Sequence, residues 1–396
     1  MNFRNLASLF RIYFLPYIVW LLFIALPTHS LGAEADTVNY RPPENDVELE
    51  YWLQNMVWYH RYSVEEIQLA TGLTPDSINS ALVRFDINAS TKPDRSEDAP
   101  LLVMPFPGGR HPRIGFLEGA IDPQRDTKMS IFPPWDDTSY GVIDVPETIW
   151  IGDKIFYLAH THINTIWDDV GIKLHKVEWT RHNDGSYEMR RKMPDSTVIG
   201  SFVIPSKTEV RFQQWITNNT QNTLRGLRVQ DCLMLSMMPG FNELNDNNNV
   251  VSGGYIARHG GNQKHWVIMA FGPSGEAWTN PLVPCMHSNP TFPDCAPGET
   301  QKIRGWLSFY EGDDIQAELT RINAIGWMDD PDYQVTSTNR RLYNMSKAHA
   351  QIHFSRYSNN GLVQDQDVNL KYSILGKKIP VSGFNTVKNS IVILQP

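Results

Sequence analysis

Two short stretches hold the residues best equipped for chemistry. In the first, Phe106-Pro107-Gly108-Gly109-Arg110-His111-Pro112-Arg113 runs on through Glu118 and Asp122 to Arg125, Asp126 and Lys128. Glycine and proline set the backbone in turns here. Arg110, Arg113, Arg125 and Lys128 supply cations, and a guanidinium fork grips a carboxylate or sulfate through two parallel hydrogen bonds. This stretch either clamps an anionic substrate or pairs its arginines internally with Glu118, Asp122 and Asp126 to pin a long loop. No Gly-Lys-Ser or Gly-Lys-Thr follows the glycines, so it is not a nucleotide-phosphate loop.

The second stretch is Tyr157-Leu158-Ala159-His160-Thr161-His162, at the end of an expected strand. Residues two apart on a strand point the same way, roughly 7 Å apart. His160 and His162 are therefore candidates to share a divalent metal, to exchange protons with a substrate alongside His111, or to make structural hydrogen bonds. A third metal ligand would come from His111, His175 or Glu178. Of the nearby aromatics Trp135, Tyr140, Trp150, Trp167 and Trp179, Trp167 is the candidate to stack on a sugar ring; burial in the core is the competing role for all five. Arg258, His259, Lys264 and His265 flank Gly260-Gly261 in an expected hairpin and read as a solvated turn. The chain has no G-x-S-x-G, no H-E-x-x-H and no dinucleotide glycine pattern, which removes the usual support for serine hydrolases, zincins and nicotinamide enzymes.

The elements that must position these residues follow from periodicity. Leu49, Trp52, Leu53, Met56 and Val57 form a helical stripe. Ser63-Val64-Glu65-Glu66 is a capping box, Gly72 ends one helix, and Thr74-Pro75 starts another. Helix, glycine turn and helix resemble a DNA reader, but the acidic composition excludes a general nucleic-acid binder. Residues 46–90 are therefore read as a helical subdomain and residues 90–100 as a linker. From there the texture is β. Lys173–Arg181, Tyr187–Met193, Val198–Ile204, Glu209–Thr217 and Leu224–Leu235 alternate between apolar and polar, with turn residues between them. Strands at this spacing predict a mainly β fold, a large antiparallel sandwich over residues 101–327. Glu209–Thr217 and Leu224–Leu235 read as one hairpin. His265–Phe271 and Lys302–Tyr310 add strands, followed by a helix capped by Asp313. Residues 328–396 form an extension without clear period.

The first 35 residues place Arg4 and Arg11 before an apolar run from Ile12 to Leu26, then Ala33-Glu34-Ala35, the order of a cleavable export signal. The whole chain carries 35 Lys+Arg and 43 Asp+Glu. Removing Arg4, Arg11 and Glu34 leaves 33 against 42, a net charge of −9. No second long apolar run exists, so the processed chain has no membrane-spanning helix. In an oxidising compartment Cys285 and Cys295 are expected to form a disulfide, with Cys232 a buried free thiol.

GGRHPRIGFLEGAIDPQRDTK (108–128), YLAHTH (157–162), LRVQDCLML (227–235), PCMHSNPTFPDCAPGET (284–300) and RGWLSFYEG (304–312) together resemble a family of exported bacterial proteins with no assigned reaction. More distantly, the Asn-rich turn in Trp215–Thr220, the strand with Cys232 and Ala296–Thr300 before a last strand are similar to galactose-mutarotase-like β-sandwiches. That likeness implies a sugar-handling cleft in which His160 and His162 would be the acting residues. The combined expectation is an exported, periplasmic or extracellular protein acting on an acidic or sulfated saccharide, with a divalent metal as an optional Lewis acid. The alternative is a non-catalytic glycan-binding or envelope-structural protein.

Overall fold

The computed structural model describes residues 40–107, 128–159, 163–175, 177–244, 246–273 and 275–335, with two short strands beyond them. In chain order the helices are α1 (Asp46–Gln54), α2 (Val64–Thr71), α3 (Pro75–Arg84) and α4 (Ile315–Ala324). The strands are β1 (Val103–Pro105), β2 (Met129–Ile131), β3 (Gly141–Ile151), β4 (Lys154–Tyr157), β5 (Thr180–Arg181), β6 (Tyr187–Lys192), β7 (Val198–Pro205), β8 (Glu209–Thr217) and β9 (Leu227–Met234). They continue with β10 (Asn249–Ser252), β11 (Tyr255–His259), β12 (His265–Gly272), β13 (Glu276–Thr279), β14 (Cys285–Asn289), β15 (Thr300–Glu311), β16 (Lys371–Ile374) and β17 (Lys377–Pro380).

The fold is mainly β, as expected, and built on two antiparallel sheets. One has seven strands in the order β1-β2-β3-β9-β14-β13, with β4 also paired to β3. The other has eight, β10-β11-β12-β15-β8-β7-β6-β5. Strand alternation sends Ile143, Val145, Leu233, Leu235 and Met286 inward from the first sheet onto Val203, Val210, Phe212, Val267, Met269, Phe271 and Leu307 of the second, closing the main core. Ile149, Leu227 and Val229 extend this core against Ile199, Ile216 and Ile303. Trp306 and Ile268 point outward from the eight-stranded sheet, where Ile315, Leu319 and Ile322 of α4 and Trp327 cover them.

The N-terminal helices cover the other face of the seven-stranded sheet. Trp52, Leu53, Met56, Ile67 and Ile78 pack with Val142, Met234 and Cys285. The capping box at Ser63–Glu66 forms in full, and Thr74 caps α3 with Pro75 in its first turn. After α1 a single π-helical turn, Asn55–Tyr59, turns polar groups toward the sheet. Asn55 donates to the Pro105 carbonyl at 2.8 Å, and His60 Nε2 lies 2.7 Å from Ser130 Oγ. Phe106, Phe132, Tyr140 and Tyr62 surround the His60 ring edge-on.

Four details differ from the sequence expectations. Strands β8 and β9 are not a hairpin: β8 pairs with β7 and β15, whereas β9 pairs with β3 and β14. The Asn218–Thr223 turn carries the chain from one sheet to the other, so the inward faces of these two strands meet across the sandwich. Of the expected Lys173–Arg181 strand the described residues form a two-residue strand at Thr180–Arg181 and an isolated bridge at Val177. The cap of α4 is Asp314, whose carboxylate accepts from Ala317 N–H at 2.9 Å; Asp313 stands one residue too early. Cys285 and Cys295 do not meet. Cys285 packs beneath the N-terminal helices and Cys295 lies in the core between the sheets, and all three cysteines are free and buried.

Candidate functional site

The covered face of the seven-stranded sheet carries a row of polar side chains beside the helices. Cross-strand register places Asp144 opposite Cys232, Cys232 opposite His287, and His287 opposite Trp278, so one line of residues crosses β3, β9, β14 and β13. Lys128 extends the line past Asp144, with which it forms an ion pair whose side chains are 4% and 7% exposed. The Trp278 indole stacks on the His287 ring at 3.9 Å between centroids and 7° between planes.

A bulge supplies a second acid. Three residues of β3, Val145–Glu147, stand against the single Asp231 of β9, between the registered pairs Asp144–Cys232 and Thr148–Gln230. Glu147 thereby accepts hydrogen bonds from the Tyr157 hydroxyl and from Gln230 Nε2, the latter at 2.6 Å, and its Oε2 stands 3.6 Å from His287 Nε2. Both His287 and Glu147 side chains are 3% exposed. Cys285, two residues before His287 on the same face, brings its sulfur to 3.7 Å from each ring nitrogen.

The electrostatics follow from this crowding. Burial, reinforced by the Glu147 carboxylate, holds the Tyr157 hydroxyl protonated far above the usual phenol range. A hydrogen bond with Cys285, then burial and Glu147, raise the Cys232 thiol. Burial works against a charged His287, but Cys232, Glu147 and Asp144 outweigh it and hold the imidazole above its ordinary value. Behind the row, on the inward face, Asp231 accepts from Gln214 across the sandwich, and burial raises its carboxyl well above the usual range. Asp231 Oδ2, Gln214 Oε1 and Ser288 Oγ have no hydrogen-bond partner there.

The residues singled out from sequence relate to this row in different ways. Arg110, His111, Arg113 and Arg125 lie outside the described residues, as do His160 and His162. The chain enters the 108–127 stretch from β1 through Pro107 and leaves it at Lys128, in the row itself. His160 follows Tyr157 by three residues. Lys128 is neutralised by Asp144. Trp167 is half-buried in the other core cluster with Ile166 and Leu174. Glu178 is paired with Arg41 and His175 is exposed. Residues 261–264 of the expected turn are solvated, but Arg258 is buried and donates to the Glu243 carbonyl, and His265 stacks on Trp135 at 4.2 Å.

Asp144, Glu147, Gln230 and His287 were not singled out from sequence. The signal available was strand alternation: Gln230 and Cys232 share the polar phase of β9, and Cys285, His287 and Asn289 that of β14. Two cavities lie away from the row. One, of about 490 Å³, is bounded by His259, Lys264, Trp266 and Asp313. The other, of about 740 Å³, lies beneath the 89–102 segment and reaches Asp137 and Lys207. Neither gathers buried titratable groups as the row does, so the row is the stronger candidate for chemistry.

No protein-family model matches the chain, and no curated protein matches it in sequence. Solved structures similar to it include a provisional kojibiose phosphorylase from the human microbiome, 8% identical over 48% of this chain and 26% of that one, with a TM-score of 0.31. A provisional aldose 1-epimerase from Escherichia coli K12 is 10% identical over 45% of this chain and 87% of that one, at 0.29. A heparan sulfate lyase from Pedobacter heparinus is 10% identical over 65% and 41%, at 0.24. All three are named for carbohydrate chemistry. At such scores the likeness fixes no activity, and the functional reading must come from the residues.

Proposed function

We propose that this is an exported carbohydrate-active protein that takes an acidic or sulfated saccharide at the covered face of the seven-stranded sheet. The observation that carries the reading is the convergence of Tyr157, Glu147, Gln230 and His287 where the 108–127 and 160–162 stretches join the sheet. In this reading Arg110, Arg113 and Arg125 hold the anionic group. His111, His160 and His162 exchange protons with the sugar. Tyr157, kept protonated by burial and Glu147, turns its single O–H from Glu147 toward a substrate oxygen that gains charge as a bond breaks. A donor of this kind contributes roughly 10²–10⁴-fold to rate.

The competing reading, non-catalytic glycan binding, is favoured by one observation: the row is buried and already hydrogen-bonded, with Tyr157 6% exposed. A single experiment separates the two. The purified chain is incubated with sulfated, uronic-acid-containing and neutral polysaccharides, and new reducing ends and unsaturated uronide absorbance are followed beside affinity electrophoresis. The enzyme reading expects product from an anionic polymer, with Tyr157→Phe slower by about 100-fold or more. Retardation without product supports the binder. Neither product nor retardation with any anionic glycan ends the saccharide reading.

A further inference from the structure

On the same face, Cys232 and Cys285 cluster with His287, and the saccharide reading leaves the two thiols without a role. We propose that these three residues bind one thiophilic metal ion, with zinc the expected occupant. The sulfurs and a ring nitrogen all lie within 4.8 Å of one another, and all three residues are buried. Zinc takes thiolate sulfur at about 2.3 Å and imidazole nitrogen at about 2.0–2.1 Å, so donors on one tetrahedral ion stand roughly 3.3–3.9 Å apart. Cys285 Sγ is 3.7 Å from both ring nitrogens of His287, inside that range, and side-chain rotation would bring the separations that lie within 4.8 Å to ligand spacing.

The strand register explains why the three converge. Cys232 and His287 are directly opposed on β9 and β14, and Cys285 precedes His287 by two residues and therefore shares its face. Two neighbours prepare the imidazole. Glu147 Oε2 stands 3.6 Å from Nε2, so a small turn of the ring would give the contact by which a carboxylate orients a ligating histidine from its far nitrogen and leaves Nδ1 for the metal. Trp278 stacks on the ring and fixes its plane. Two thiolates balance the charge of a divalent ion, so uptake releases the two thiol protons, and three protein ligands leave the fourth position to water. Its three ligands are not the His160/His162 pair expected from sequence, and the proposal stands whether or not a saccharide is the substrate.

The test uses the purified chain, reduced under anaerobic conditions and loaded with Zn²⁺ or, as a spectroscopic probe, Co²⁺. Elemental mass spectrometry should find about one equivalent of metal. The cobalt form should show thiolate-to-metal charge-transfer absorption, which histidine and carboxylate ligands alone do not produce. Cys232→Ser, Cys285→Ser and His287→Gln should each remove or shift that band, and Glu147→Gln should weaken affinity roughly 10- to 100-fold. Cys295→Ser and the His160→Ala/His162→Ala double variant should leave it in place. A wild-type cobalt form without the thiolate band overturns the assignment, as does a band whose position and intensity Cys232→Ser leaves unchanged. Recovery of Cys232 and Cys285 as a disulfide in metal-free protein isolated from cells also overturns it. The wild-type spectrum decides even if a variant fails to fold, and saccharide turnover enters none of these readings.

Discussion

Replacing Lys128 by Met should unfold the protein far more readily than the loss of a surface charge would. The side chains of Lys128 and Asp144 are 4% and 7% exposed, so the ion pair is almost wholly removed from water. Met keeps most of the lysine stem and deletes the ammonium. The Asp144 carboxylate then loses its lysine partner on a covered face that already holds Glu147. Breaking a buried pair from one side costs about 3–5 kcal/mol, whereas an exposed pair is worth about 0–1 kcal/mol. At roughly 2–4 °C per kcal/mol for a large domain, Lys128→Met should lower the melting temperature by about 6–20 °C. The double variant Lys128→Met/Asp144→Leu removes both charges and should recover most of that loss, because a desolvated pair and an apolar substitute of similar volume are often near balance. Urea titrations of wild type, both single variants and the double variant close the cycle and give the coupling directly. A loss below about 1 kcal/mol in Lys128→Met, or single-variant losses that simply add, would refute the claim that the pair is desolvated.

Two further changes probe the sandwich. Asp231→Asn should stabilise the protein at neutral pH, because Asn Oδ1 can still accept from Gln214 while an uncharged amide replaces the buried, unpartnered Oδ2. The folded-state carboxyl of Asp231 titrates well above its unfolded value, so its contribution is fully present below the unfolded carboxylate range and is lost as pH rises through the folded value. The melting-temperature gain of Asp231→Asn should therefore grow with pH above about 4, and a gain independent of pH would count against a protonated Asp231. Gly200→Ala should destabilise by about 1–3 kcal/mol, since an added Cβ would stand 2.1 Å from Trp215 Cζ2 on the adjacent strand. Trp215 would have to leave its packing on Phe202, 5.0 Å away between ring centroids, and an unchanged urea midpoint would show that it moves freely.

The fold class could be read from alternation because alternation is what sheet burial imposes. Val210, Phe212 and Ile216 repeat every second residue and do face the core. What alternation cannot say is which strand lies next door. Strands β8 and β9 are consecutive in sequence and both send an amphipathic face inward, which suits a hairpin and a sandwich equally well. Their later partners, β15 and β14, lie 83–99 and 51–57 residues further on. The site was hidden for the same reason. Asp144 and Glu147 are three residues apart and share a face only because a bulge intervenes, and His287 meets them only through two neighbouring strands. Local clusters such as Arg110–Lys128 are conspicuous in sequence, whereas a row running perpendicular to the chain draws one residue from each strand. The cysteine expectation failed in the same way: the short spacing of Cys285 and Cys295 pointed to each other, but Cys285 has Cys232, 53 positions earlier, as its sulfur neighbour.

The row is costly to hold, and that cost bears on its purpose. A lysine, two acids, a histidine and two thiols occupy a face that continues directly into the apolar contact of Val142, Met234 and Trp52 with the helices. Apolar residues of equal volume would pack there without desolvation penalty, and polar groups that break a local pattern tend to mark sites rather than scaffolding. Glu147 decides between the two roles open to it, because it touches both halves of the row. If its work is to orient His287 on a metal, Glu147→Gln loses metal affinity and leaves Tyr157 with an amide oxygen that still accepts its proton. If its work is to hold Tyr157 for proton donation, Glu147→Gln and Tyr157→Phe should slow turnover while the thiolate-to-cobalt absorption stays intact. Measuring both readouts on the same two variants assigns the carboxylate to one half of the row or shows that it couples them.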